Sequence, residues 1–152
     1  MEITTLDQFN IIGISLRTTN ENNQAAKDIP QLWQKFYTEN IIEKIPNKID
    51  SNVYCIYTDY EKDFTKPYTV IIGCKVESLI LIPEGMQGNT FSGGKYTKFT
   101  TAKGKLSEVV ISKWIEIWNT DLQRSYTADF EIYSEKSVNP EDAEVDIFVA
   151  VE

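Results

Sequence analysis

The sequence predicts an α+β fold: an antiparallel sheet with two long helices on one face and a ligand groove on the other. Two observations carry that expectation. Runs of β-branched and alternating apolar residues flank two stretches whose apolar residues recur at helical spacing. The succession strand, helix, strand, strand then occurs twice along the chain. With 152 residues, 41% of them apolar and 12% aromatic, the chain suits a single domain, 1–152, holding a real core.

Phe9 to Arg17 (FNIIGISLR) is apolar and β-branched enough for a buried strand. Ile29, Leu32, Trp33, Phe36 and Tyr37 then mark one face of a helix, with Asp28 as its expected N-cap and Pro30 placed in the first turn. The helix should stop before Pro46. Val53 to Glu61 and Tyr68 to Glu77 read as a hairpin. Ser78 to Gly94 is a glycine-rich connector, and its apolar Met86 and Phe91 suit a mobile lid or a plug for the core. From Gly94 the order starts again: a strand at Lys95 to Thr101, then a helix striped by Leu106, Val109, Val110, Trp114, Ile117 and Trp118. Ala128 to Ser134 and Glu144 to Glu152 close the chain as strands.

The two halves, about 8–77 and 93–152, share residues as well as order. Trp33, Phe36 and Tyr37 match Trp114, Ile117 and Trp118, and Ile56-Tyr57 matches Ile132-Tyr133. Units of this kind, set side by side, leave a concave groove between them, expected on the face opposite the helices. In the closing strands, carboxylates interrupt the apolar alternation. Val145, Ile147, Val149 and Val151 form one aliphatic face. If helices cover it, Glu131, Tyr133, Glu144 and Phe148 share the other face as carboxylates set among aromatics. Cys55 stands in the first half where Glu131 stands in the second, so the groove should be acidic on one side.

Composition removes several functional classes. The net charge of -8, with no Lys or Arg run, disfavours a direct nucleic-acid surface. The absence of His excludes Ser-His triads, His acid/base chemistry and the commonest metal ligand. Two cysteines without a CxxC make no four-cysteine zinc site, so neither a metal nor another cofactor is expected. Both are expected as buried free thiols, with a cross-strand disulfide as the lesser alternative. No targeting segment and no apolar run of membrane-spanning length occur, so a cytoplasmic location off the membrane is expected.

Ile82-Pro83-Glu84-Gly85-Met86 leading into Gly93-Gly94-Lys95-Tyr96-Thr97-Lys98-Phe99 and Gly104, the Trp-bearing second helix, Phe130-Glu131-Ile132-Tyr133, and the ending Glu144 to Val151 together resemble a known family. It is the GyrI-like, or bacterial transcription activator effector-binding, domain family, and the resemblance covers nearly the whole chain. One departure is Phe148-Val149-Ala150, where the family's usual ending has an aromatic followed by Ile-Pro. The resemblance implies a pocket for small, often cationic and aromatic molecules with a carboxylate at its base. By motif that carboxylate falls on Glu131, with Glu144 as a second candidate. Many members join this domain to a DNA-binding region, whereas only about eight residues precede the first strand here, so a stand-alone domain is expected.

The expected function is binding of a lipophilic cation, including chemically unlike drugs, with Glu131 supplying charge and aromatics supplying shape-tolerant contact. Tyr57, Tyr96, Tyr133, Phe148 and Trp114 are the expected walls, with Phe91 and Met86 closing over them. No residue is assigned a catalytic role in that reading. Two rivals stand beside it. The resemblance also extends to hydrolases of strained rings, with Glu131 as base or nucleophile and Tyr133 or Tyr96 as proton donor. The acidic charge suits instead a regulator that acts on a protein partner. A protein partner or a homodimer stays open in every case.

Overall fold

The computed structural model describes residues 2–152. Its strands are β1 (Ile3–Leu6), β2 (Phe9–Thr18), β3 (Val53–Thr58), β4 (Tyr68–Val76), β5 (Gln87–Phe91), β6 (Gly94–Thr100), β7 (Ala128–Tyr133) and β8 (Asp146–Ala150). They form one antiparallel 8-stranded sheet in the order β1-β6-β8-β7-β3-β4-β2-β5. Outward from the central β3–β7 seam the sheet reads β3-β4-β2 on one side and β7-β8-β6 on the other. On that seam Cys55 lies directly opposite Glu131. Both cysteines are buried free thiols.

The helices are α1 (Gln24–Thr38), the short α2 (Ile41–Lys44) and α3 (Leu106–Trp118). Helix α1 starts a turn before the sequence reading placed it. Asn22 and Asn23, at φ of 55° and 59°, turn the chain into the helix through the left-handed region that asparagine tolerates. Asp28 is therefore not the N-cap; it lies within α1 and accepts hydrogen bonds from Thr18 Oγ1 at 2.8 Å and Gln24 Nε2 at 3.1 Å. Pro30 falls inside the helix, where it leaves the Ala26 carbonyl without its usual donor.

Ladder register decides which side chains share a face, and here it overturns one expectation. Glu131 is paired with Ile147, and Phe130 with Phe148. Glu131 and Tyr133 therefore lie on the same face as Val145, Ile147 and Val149, beneath the helices, and Phe148 lies on the opposite face. Leu32 and Phe36 of α1 pack over Ile12, Ile14 and Ile72, while Trp114 and Ile117 of α3 pack over Val145, Ile147 and Val149. The face without helices holds a core of its own, built on Phe9, Ile11, Tyr54, Ile56, Tyr96 and Phe130.

That second core exists because the sheet curls. Phe9 of β2 and Phe130 of β7 are separated by β3 and β4, a span of roughly 14 Å in a flat sheet. Their rings nevertheless meet with centroids 5.4 Å apart. The concave side is thus filled by its own apolar side chains, with a small pocket of about 160 Å³ beside Phe91, Tyr96 and Ala128 in place of the expected groove. Gly13 and Gly73 face each other on this side, where the backbones of β2 and β4 come so close that an added Cβ at either would sit 2.2 Å from the opposing carbonyl oxygen. Gly13→Ala or Gly73→Ala should therefore cost about 1–3 kcal/mol, read as a lower urea midpoint at unchanged slope. An unchanged midpoint would show that the close approach is not needed for the curl.

Candidate ligand-binding site

A cavity of about 800 Å³ opens between α1 and α3, on the helix-bearing face of the sheet. Helix α1 contributes Ile29, Pro30, Trp33 and Tyr37, and α3 contributes Val110, Trp114 and Trp118. Tyr57, Glu131 and Tyr133 form the floor on the central strands. Tyr60, Phe64 and Arg124 also line it. The helices carry tryptophans on their inner stripes, and each leans across the seam: Trp33 meets Tyr133 edge-on at 4.9 Å, and Trp114 meets Tyr57 at 5.5 Å.

Glu131 is only 1% exposed and, among the described residues, has no basic partner within salt-bridge distance. Its carboxylate is held by hydrogen bonds instead. Tyr57 donates to Oε2 at 2.8 Å, Trp114 Nε1 to Oε2 at 2.6 Å, and Tyr133 to Oε1 at 2.5 Å. Burial raises the Glu131 pKa above the ordinary carboxylate value, and the donors Tyr133, Trp114, Tyr57 and Cys55 pull it part of the way back. Burial first, and the neighbouring negative charge after it, pushes the Tyr57 and Tyr133 hydroxyls and the Cys55 thiol well up, so all three keep their protons. A second buried carboxylate, Asp129, is neutralised: Arg124 Nη2 reaches it at 2.7 Å, Tyr60 donates at 2.5 Å and the Ala150 amide at 2.7 Å. Among the described residues no His, Cys, Asp and Glu cluster is arranged for a metal ion.

Of the residues expected at the site, Glu131, Tyr133, Tyr57 and Trp114 come together here. The others do not. Phe148 stacks on Phe130 at 5.0 Å behind the sheet, and Tyr96 is buried in the same rear core. The connector is not a lid: Gln87–Phe91 pairs with β2, Phe91 stacks on Phe9 at 5.3 Å, and Met86 packs against the core under α1. Glu144 precedes β8 and pairs with Lys136 at 3.6 Å, away from the cavity. The sequence reading places Trp33, Tyr37 and Trp118 on the helix stripes without assigning them to the site, and does not name Tyr60, Phe64 or Arg124. The match of Trp33 to Trp114 was the available signal for the first; the last three come from loops and left none.

Residues 2–151 match the model of the integron-associated effector binding protein family, Cass2. The chain belongs to that family. It is 29% identical to YobU of Bacillus subtilis (strain 168), a candidate transcriptional regulator, over 98% of this chain and 96% of that one. The integron cassette protein VCH_CASS2, from the mobile metagenome of Vibrio cholerae, is 37% identical with a TM-score of 0.77, covering 99% of this chain and 95% of its own. SAV2435, solved bound to tetraphenylphosphonium, shares the fold at a TM-score of 0.82 and 19% identity, covering 99% and 93%. The GyrI-like resemblance thus holds, and the fold of this Cass2-family chain is that of effector-binding domains related to transcription regulators. Among the described residues no helix is long and apolar enough to cross a membrane.

The raised pKa fixes a pH dependence. Between the ordinary carboxylate pKa and the raised folded value, the unfolded chain has lost the Glu131 proton while the folded chain keeps it, so rising pH favours unfolding across that window. The urea-unfolding free energy of the wild type, minus that of Glu131→Gln, should fall as pH rises from 4.5 and level off above the folded value. A difference that is flat with pH would mean that the donors offset burial completely.

Proposed function

We propose that this Cass2-family protein is an effector-binding domain that captures a lipophilic cation lacking hydrogen-bond donors, with Glu131 as its electrostatic anchor. The observation that carries the reading is the buried, unpaired Glu131 carboxylate at the floor of an aromatic cavity. A bound cation would return to Glu131 the charge partner that burial denies it, and Trp33, Tyr57, Trp114 and Tyr133 add cation–π attraction of about 0.5–2 kcal/mol per favourable ring. SAV2435, which shares the fold, is bound to such a cation, and this supports the reading.

The hydrogen bonds on Glu131 narrow the ligand class. A carboxylate offers about four lone-pair positions, and Tyr57, Trp114 and Tyr133 fill three of them. A primary ammonium would leave most of its N–H groups unmet on entering the cavity, a cost of about 1–3 kcal/mol for each buried group. Quaternary ammonium and phosphonium ions carry no such groups. Aromatic stacking sets no fixed pattern of polar contacts, so several unlike cations would fit. With a net charge of -8, a transcriptional role would run through ligand capture or a partner protein rather than through DNA phosphates.

Tetraphenylphosphonium and its isosteric anion tetraphenylborate provide the test. At a hundred times its Kd, the cation should stabilise the wild type by about 2.7 kcal/mol, a rise in Tm of roughly 5–10 °C, while the anion has no such effect. Glu131→Gln should lose most of the cation shift. Equal shifts from both ions, or in both proteins, would remove Glu131 as the anchor. Recovery of the cation unchanged separates capture from hydrolysis.

A further inference from the structure

The cavity has a second ionic feature in its lining, Arg124. The Arg124 side chain lines the cavity and is only 6% exposed, yet of its guanidinium nitrogens only Nη2 is hydrogen-bonded, to Asp129 at 2.7 Å. Nε and Nη1 are buried and find no hydrogen-bond partner among the described residues. Rings surround the group instead, with Tyr126 at 4.4 Å from the guanidinium carbon, Phe64 at 5.7 Å and Trp114 at 6.0 Å. Ring faces attract the delocalised charge, but they accept no conventional hydrogen bond. Buried donors left unmet are few in native proteins, and each costs stability that something else must offset.

Two further observations point to a ligand as that something. Tyr126 holds its ring over the guanidinium from a left-handed backbone, φ 54°, a strained conformation for a bulky residue of the kind that collects at ligand clamps. Phe64, which lines the cavity beside Arg124, is half-buried in the β3–β4 loop and stacks flat on Trp118 at 5.3 Å. A short shift of that loop ring would widen the cavity at Arg124. Because Asp129 already balances the Arg124 charge, the position asks for an acceptor oxygen and not for a counter-ion.

We propose that Arg124 is a second ligand-binding position of this cavity and takes a carbonyl oxygen, so that the effector is a two-ended molecule with a lipophilic cation at Glu131 and a carbonyl group on the Nε–H of Arg124. The cationic end rests on the function proposed above; the carbonyl end stands on Arg124 alone. Trp114 sets the span between the ends: its indole N–H lies on Glu131 and its ring beside Arg124. A drug-sized ligand bridges both while lying along one side chain.

A matched pair of cations tests the proposal, benzoylpropyl-triphenylphosphonium against phenylbutyl-triphenylphosphonium, which differ by the ketone oxygen. The ketone should bind the wild type about tenfold more tightly, as a hydrogen bond from a charged donor implies. The double variant Arg124→Met/Asp129→Asn, which removes both charges together, should bind the two equally. Independently of any substitution, the Arg124 Nε–H resonance should move downfield with the ketone and with the neutral butyrophenone, but not with butylbenzene. Equal affinities in the wild type, or an unmoved resonance with butyrophenone, would overturn the carbonyl position. If the phosphonium ions fail to bind while butyrophenone still moves the resonance, the cationic reading falls and Arg124 stands.

Discussion

A buried carboxylate without a counter-charge among the described residues is the constraint around which this protein is arranged. Glu131 sits on the central seam of the sheet, and the groups that keep it there come from both sides of that seam: Tyr57 from β3, Tyr133 from β7 and Trp114 from α3. Burial alone would drive the group toward its neutral form; three donors aimed at two oxygens restrain that drift. The same three side chains are aromatic, so the group that solvates the charge also supplies the walls. The position of α3 over the sheet is then no free choice, since Trp114 must both pack and donate.

The curl of the sheet is what leaves room for this arrangement. By turning its helix-free side inward, the sheet buries Phe9, Ile56, Tyr96 and Phe130 against one another and needs no further layer there. The helices are left to the convex side, each packed over its own set of strands, and the gap between them becomes the cavity. A flat sheet would expose the rear aromatics and let the helices close on each other. The glycine pair Gly13 and Gly73 permits the bend by removing side chains where the backbones converge.

Much of this was legible in the sequence. Periodicity located both long helices and the β3–β4 hairpin. The lost information is of two kinds. Alternation says which residues of one strand share a face, but not how the next strand is registered, and a one-residue difference put Glu131 and Tyr133 beneath the helices while Phe148 stayed on the helix-free face. Pairing between distant segments was equally invisible: β1 and β5 are short, polar and unremarkable until β6 and β2 accept them as partners. That is why Phe91, read as part of a loop, became a wall of the rear core. The Phe64 and Arg124 part of the cavity lining was illegible for the same reason, since both residues lie in irregular segments with no period to read.

The asymmetry of the site about the β3–β7 seam is informative. Trp33 meets Tyr133 and Trp114 meets Tyr57, so that each tryptophan leans on the tyrosine across the seam. Into this aromatic frame β7 places Glu131 and β3 places Cys55, whose thiol burial keeps protonated and uncharged. A second carboxylate facing the first would have forced one of the two to hold a proton, because like charges in a shared buried site cannot both ionise. A single acid avoids that. The frame offers rings on every side while the floor carries one negative centre, off the midline. In the function proposed above, the aromatic frame would set how large and flat an occupant can be, and Glu131 would set the sign of its charge and the end from which it is held.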